Sequence, residues 1–301
     1  MPNYVAHEVM GDLIDIPSSR VNLDKELLSA FSVGHDLMCS EFGAINVTHN
    51  SKTREFFLTL IKYIKENKLY DNSDVMAFLY GHIMHYELDK LAHPYIYYMT
   101  NGVPKSGIVN FHMASEEYLG NFILNNKVSL SRKKISSNLS KISEISLSSS
   151  VGFMINDVYD DVYGYYNALS IMKKSALYLK SLEFFKKLLR EEKSDFYYSF
   201  IGLEKYFKTS SMNKEIITNS DKCHWWNPIS RREKDSSFLE MFDEAMAISS
   251  DVIEKVNEVI YGDKNLSYLD NVFTDDSYDT GFSCSIGKPF VKSRYNDLRR
   301  K

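Results

Sequence analysis

The chain has 301 residues, 44% of them hydrophobic and 14% aromatic, with a formal net charge of −4 and a pI near 6.1. That is ample apolar material for the core of one large domain or two small ones, and it excludes a disordered chain. The near-neutral balance gives no overall basic field of the kind tight duplex DNA binding uses, so nucleic acid is the less expected partner, with only a local groove left open to it.

The opening MPNYVAHEVMGDLID, which contains His7, lacks a basic segment followed by an apolar one, and this predicts a cytoplasmic protein without a secretory signal. Asp36 in VGHDL and His49 in NVTHN follow; each type is common in capping and surface positions. The run EFFLTLIKYIKENK places Phe56, Phe57, Leu60, Ile61 and Ile64 on one stripe, the period of an amphipathic helix. SDVMAFLYGHIMHYELDKLAH predicts a second helix that starts at a Ser73 cap, with Pro94 marking its end. HMASEEYLGNFIL suits a third, packed through Met113, Leu119, Phe122 and Ile123. The serine-rich stretch 129–150 reads as a surface connection, a lid or a poorly packed polar helix. Two more helices are predicted in IMKKSALYLKSLEFFKKLLREE and DSSFLEMFDEAMAISSDVIEKVNEVI, the second opening with Ser237 three residues before Glu240, a capping-box spacing. From Gly262 the helical period is lost and turn residues gather, so the tail should wrap irregularly over the helices.

With 6 prolines and 13 glycines the chain is short of the closely spaced turns an all-β protein needs, and an all-α multi-helix bundle is predicted. No repeat or marked boundary divides it, so residues 1–301 are expected to form a single domain: a half rich in metal ligands (1–127), the serine-rich connection (128–150) and supporting helices with the tail (151–301). No apolar stretch approaches the roughly 20 residues of a membrane span, so any membrane contact would be peripheral. Cys39, Cys223 and Cys284 are odd in number and widely spaced, which suits free thiols and matches no zinc-finger pattern.

Seven of the eight histidines precede residue 113. On an α-helix, residues four apart are offset by only about 40°, so His85, Asp89 and His93 should project from one face, and His112 and Glu116 repeat the spacing on a second helix. A lone histidine on such a face is more often a satisfied core residue than a ligand, but here the pairs reinforce one another. Nitrogen and oxygen donors in this mixture suit zinc, and a shared aspartate can hold two ions together. With His7, Asp36 and His49 the inventory fills two or three tetrahedral sites and leaves a position for water. His82, His35 beside Asp36, and Glu117, about 100° round the helix from Glu116, are expected outside the ligand set. Tyr80, Tyr86, Tyr95, Tyr97 and Tyr98 could cage a choline ammonium, but their helical spacing favours core packing. Trp225 and Trp226 should anchor the last long helix, His224 should be structural, and Asp157, Asp160 and Asp161 should form a solvated face.

His7, GHD at 34–36, His49, HYELDKLAHPY from His85 and HMASE from His112 together resemble the zinc-dependent phospholipase C family, and WWNP at 225–228 and SYDTGF at 277–282 extend the likeness over most of the chain. The resemblance implies an all-α bundle holding a trinuclear site of three zinc ions that hydrolyse a phosphodiester in a phospholipid head group or a small substrate, a metal-bound hydroxide attacking phosphorus. It implies one site from Asp36, His49, His85 and Asp89, a second reached through bridging Asp89 and including His7, and a third from His93, His112 and Glu116, with Asp36 also the base that orients the attacking water. Secreted members complete a site with an N-terminal tryptophan, whereas this chain begins Met1-Pro2, so that corner should differ; the interval from Asp89 to His93 is also shorter, and no membrane-binding β-sandwich follows, so a toxin's attack on membranes is not expected. Two alternatives accompany this reading. One is a single-strand nuclease of similar fold; the other is a helical protein that uses its metals only for stability.

Overall fold

Ten α-helices organise the described residues of the computed structural model, which are 4–100, 111–127, 137–192 and 217–286. In chain order they are α1 (Tyr4–Leu13), α2 (Lys25–Phe31), α3 (Ala44–Asn50), α4 (Thr53–Glu66), α5 (Ser73–Thr100), α6 (Phe111–Lys127), α7 (Ser140–Glu144), α8 (Ser150–Tyr163), α9 (Ala168–Glu192) and α10 (Phe238–Tyr261). A 3-10 turn, Gly34–Met38, joins α2 towards α3. The strand content of the described residues is one two-residue antiparallel ladder, with Trp225 opposite Lys234 and Trp226 opposite Glu233. The expected all-α fold is the fold observed.

Helix α5 is the spine. At 28 residues it runs about 42 Å, and it is buried almost all round because α1, α2, α6 and α10 pack against different faces of it. That enclosure explains why its apolar residues do not fall on a single stripe. Helix α4 is the contrasting case: Phe56, Phe57, Leu60, Ile61 and Ile64 are fully buried while Glu55, Lys62 and Glu66 are exposed, so one face packs and the other is solvated.

The helix ends show where side-chain spacing misleads. The cap of α5 is Asn72 and not Ser73: the Asn72 Oδ1 accepts from the backbone N–H groups of Asp74 (3.0 Å) and Val75 (3.2 Å), and Ser73 is already helical. Pro94 does not end α5, which continues to Thr100. Proline costs the helix one hydrogen bond, that of the Lys90 carbonyl four residues back. That carbonyl instead faces Gly281, so close that a Cβ there would stand 2.6 Å from it. The Ser237–Glu240 capping box is present as the spacing predicts, with the Glu240 carboxylate accepting from the Ser237 N–H at 2.9 Å.

The serine-rich stretch begins outside the described residues (128–136), but from residue 137 it is not a loose loop. Leu139 and Ile142 are fully buried, and α7 packs on α9 and α2, so two apolar residues three apart suffice to dock the turn. The tail from Gly262 to Ile286 is irregular, built of 3-10 turns, bends, tight turns and one antiparallel bridge between Asp276 and Ser283. It seals α4 and α5, with Phe273 stacked on Phe57 (4.4 Å between centroids) and Tyr278 fully buried. The aromatic residues of α5 other than half-buried Tyr97 are core: Tyr80 donates to Asn257 Oδ1 at 2.7 Å, and Tyr95 meets the buried Trp225 edge-on at 5.2 Å. Trp225 in turn donates its indole N–H to the Ser236 carbonyl just before α10, the anchoring role expected of it. The three cysteines are free, and no helix among the described residues is long and apolar enough to cross a membrane.

Candidate metal centre

One face of α5 supplies the middle of the centre. His85 Nε2 lies 3.3 Å from Asp89 Oδ2, one turn on, and His93 Nδ1 lies 3.8 Å from Asp89 Oδ1 a turn further. Helix α1 brings His7 to the same carboxylate, its Nε2 3.2 Å from Asp89 Oδ1. From the other side the 3-10 turn presents Asp36 and α3 presents His49, whose Nε2 is 3.2 Å from Asp36 Oδ1, 3.6 Å from Asp89 Oδ2 and 3.4 Å from His85 Nε2. Helix α6 adds His112 and Glu116, 2.8 Å apart, with Glu116 also 3.6 Å from His93 Nε2. Three groups of donor atoms result: His7, His85 and Asp89; Asp36, His49 and His85; His93, His112 and Glu116. His85 belongs to two of them, and Asp89 faces one with each oxygen. All but His112, which is 23% exposed, are buried.

The chain makes room for this with Gly34. Its φ is +55°, and a Cβ there would lie 2.3 Å from Cγ of His85, so only glycine lets the turn bearing Asp36 close over the His85 ring.

The donor atoms are oriented away from ordinary partners. His49 donates Nδ1–H to the Ile45 carbonyl (2.9 Å) and His93 donates Nδ1–H to the Tyr278 carbonyl (3.0 Å). Thr100 gives its hydroxyl proton to Ile96, so its oxygen accepts from His112 Nδ1 at 3.0 Å. Each ring is thereby fixed with a bare Nε2 turned inward. Apart from their approaches to one another, both oxygens of Asp36, both of Asp89, both ring nitrogens of His7, Nδ1 of His85 and Nε2 of His93 have no hydrogen-bond partner among the described residues. Each such buried orphan costs about 1–3 kcal/mol, so lone pairs gathered in this number need a positive charge in their midst. The donor set, imidazole nitrogen with carboxylate oxygen, fits zinc.

Without a cation the groups hold one another in unusual protonation states. Burial pushes the Asp36 carboxyl up, the charge on Asp89 adding to it against the pull of His49. Burial opposes the charge on Asp89 too, but His85, His7 and His49 overcome it and hold its carboxyl below the usual range. His49, disfavoured as a cation by burial, is nevertheless pushed up to about 9 by Asp36 and Asp89. His85 goes the other way, lowered by burial and by its imidazole neighbours.

All eight residues singled out in the sequence thus lie in the three groups. His82 and His35 stand outside: His82 donates Nδ1–H to the Phe78 carbonyl, so its Nε2 accepts the Tyr159 hydroxyl at 3.2 Å, and the Tyr159 oxygen accepts from His35 Nδ1 at 2.7 Å. Glu117 is in none of the groups, and His224 is exposed beside Glu233. The Met1-Pro2 corner lies outside the described residues. Tyr159 and Tyr278 have parts here that nothing in the sequence signals, since one acts through a distant contact and the other through its backbone.

A family model described as zinc dependent phospholipase C matches residues 1–171, the segment that contains all three groups. No curated protein matches the chain, and no solved structure does.

Proposed function

The chain belongs to the zinc-dependent phospholipase C family, and we propose that it hydrolyses a phosphodiester, in a phospholipid head group or a small soluble ester, at zinc ions held by His7, Asp36, His49, His85, Asp89, His93, His112 and Glu116. The observation that carries this reading is the set of buried, mutually facing lone pairs on those side chains. Bound zinc would supply Lewis acidity toward the phosphoryl oxygens.

The protein's own groups do the positioning. Asp89 offers one oxygen to the His7 group and the other toward His49 and His85, so a single carboxylate ties two sites together. Asp36, at the edge of the second group with its Oδ1 3.2 Å from His49, would be the base that orients the attacking water. His112 is the partly exposed ligand, with half-buried Tyr97 packed at 4.9 Å, so a phosphoryl group would approach from the α5–α6 side. Buried imidazoles on the opposite side keep bulk water from the donors.

The test is to measure zinc in the purified protein and offer a chromogenic phosphocholine ester, a phospholipid dispersion and single-stranded oligonucleotides in parallel. Turnover of either phosphoester, lost together with zinc in Asp89→Asn, is the expected result. Cleavage of oligonucleotides alone would replace the reading with a nuclease, and firmly bound zinc without turnover would leave a metal-stabilised helical protein.

A further inference from the structure

The third group of ligands is oriented from a part of the chain beyond the family-matched residues 1–171. Residues 274–282 form a strap from the C-terminal end of α3 across the middle of α5, where it meets Tyr86, Lys90 and His93. Its turn is closed by the Ser277 N–H on the Phe282 carbonyl (2.8 Å) and the Gly281 N–H on the Ser277 carbonyl (2.9 Å). Asn50, the last residue of α3, grips it twice: its amide donates to Asp279 Oδ2 at 2.8 Å, and its oxygen accepts from the Ser277 hydroxyl at 2.7 Å. Between these points Tyr278 donates its N–H to the His49 carbonyl (3.0 Å) and accepts His93 Nδ1–H on its own carbonyl (3.0 Å). The Tyr278 ring lies against His49 at 4.9 Å and His85 at 5.5 Å.

We propose that Tyr278 is a positioning residue for the metal centre, its main-chain carbonyl holding His93 as the Nδ1–H tautomer with Nε2 free for the ion shared with His112 and Glu116. The distances decide which acceptor takes the His93 proton: the Tyr278 carbonyl is at 3.0 Å, whereas Asp89 Oδ1 is at 3.8 Å. With the strap in place Asp89 keeps that oxygen for the His7 group; with it lifted, the His93 N–H would turn to the carboxylate and compete there with a cation. A carbonyl is the better partner because it cannot ionise and has no call on the metal.

The inference rests on the zinc reading above, and the experiment separates the two. Two full-length variants loosen the strap around Tyr278 without replacing a ligand: Asn50→Ala removes both Asn50 grips while those of Thr53 on Asp275 and Tyr86 on the Thr274 carbonyl remain, and Gly281→Ala places a Cβ 2.6 Å from the Lys90 carbonyl at a φ of +66°. Zinc titration against a chromogenic chelator is combined with long-range proton–nitrogen NMR of the histidine rings in metal-free protein. Wild type is expected to show His93 as the Nδ1–H form. Both variants should bind the weakest equivalent of zinc about 10–100-fold less tightly and lose that single tautomer, while Tyr278→Phe, which keeps ring and backbone, behaves as wild type. If wild type binds no zinc, the metal reading falls and the inference with it. If wild type binds zinc but its His93 is the Nε2–H form, or if Asn50→Ala keeps wild-type affinity and tautomer, the inference alone is overturned, and the wild-type spectrum decides this even where a variant fails to fold.

Discussion

Replacing Gly34 with alanine should damage stability and metal binding together, by amounts that can be worked from two features of one residue. At φ +55° an L side chain costs about 1–2 kcal/mol from backbone sterics. The new Cβ would also lie 2.3, 2.5 and 2.6 Å from Cγ, Cδ2 and Cβ of His85, forcing the ring aside, and repacking of that kind costs about 1–3 kcal/mol. The sum is about 2–5 kcal/mol, a large share of a domain's stability. Gly43 is the internal control. Its φ is +80°, but a Cβ at that position would meet nothing within 4 Å, so Gly43→Ala should lose only the backbone part. Urea denaturation of metal-free protein gives both numbers, provided the slope is unchanged. Because His85 belongs to two of the three groups, Gly34→Ala should also weaken two zinc equivalents and spare that of His93, His112 and Glu116. Equal stability losses in the two variants, with equal zinc content, would show that the contact between Gly34 and His85 is not what shapes the site.

Three other outcomes are expected. In metal-free protein His49 is held near 9 by Asp36 and Asp89, so its contribution to stability is complete below pH 6.5 and is lost as pH rises through 9; zinc must displace that proton, and its affinity should climb by up to about tenfold per pH unit over this window. A pH-independent affinity in chelator competition would contradict the pairing. His82 is pushed down to about 3 by burial, so between pH 6.5 and 3 the unfolded chain binds a proton the folded chain refuses, and stability should fall on acidification by up to about 5 kcal/mol; acid denaturation of His82→Asn, compared with wild type, should lack this part of the slope. Tyr159→Phe leaves the His35 and His82 nitrogens without their shared hydroxyl and should cost about 1–3 kcal/mol in thermal or urea unfolding with zinc content unchanged; loss of zinc would mean the two rings serve the metals after all.

What is legible in the sequence divides by range. The stripe from Phe56 to Ile64 and the alignment of His85, Asp89 and His93 are local, fixed by 3.6 residues per turn, and both stand in the fold as spaced in the sequence. His7, Asp36 and His49 join them only through tertiary packing, and resemblance, not periodicity, points to them. Ser73 is the cap that spacing suggests and Asn72 is the cap that forms, since either residue type can fill the role and one position decides it. Pro94 should end α5 by its chemistry alone; the packing around that helix and the Gly281 turn accommodate the carbonyl it frees. Leu139 and Ile142 are hidden among serines. The part played by Tyr278 is not legible at all, because every residue type but proline offers the same N–H and carbonyl.

The strap also fixes an order of assembly. Tyr278 lies 162 residues beyond Glu116 (278 − 116), which at common synthesis rates is a delay on the order of ten seconds between the last ligand and the backbone that orients His93. During that interval the residues bearing every histidine and carboxylate of the centre have been synthesised, while the carbonyl that sets the tautomer of His93 has not. A nascent chain is therefore expected to capture its first ions at the two groups around Asp89, and to acquire its full complement only once the tail has closed.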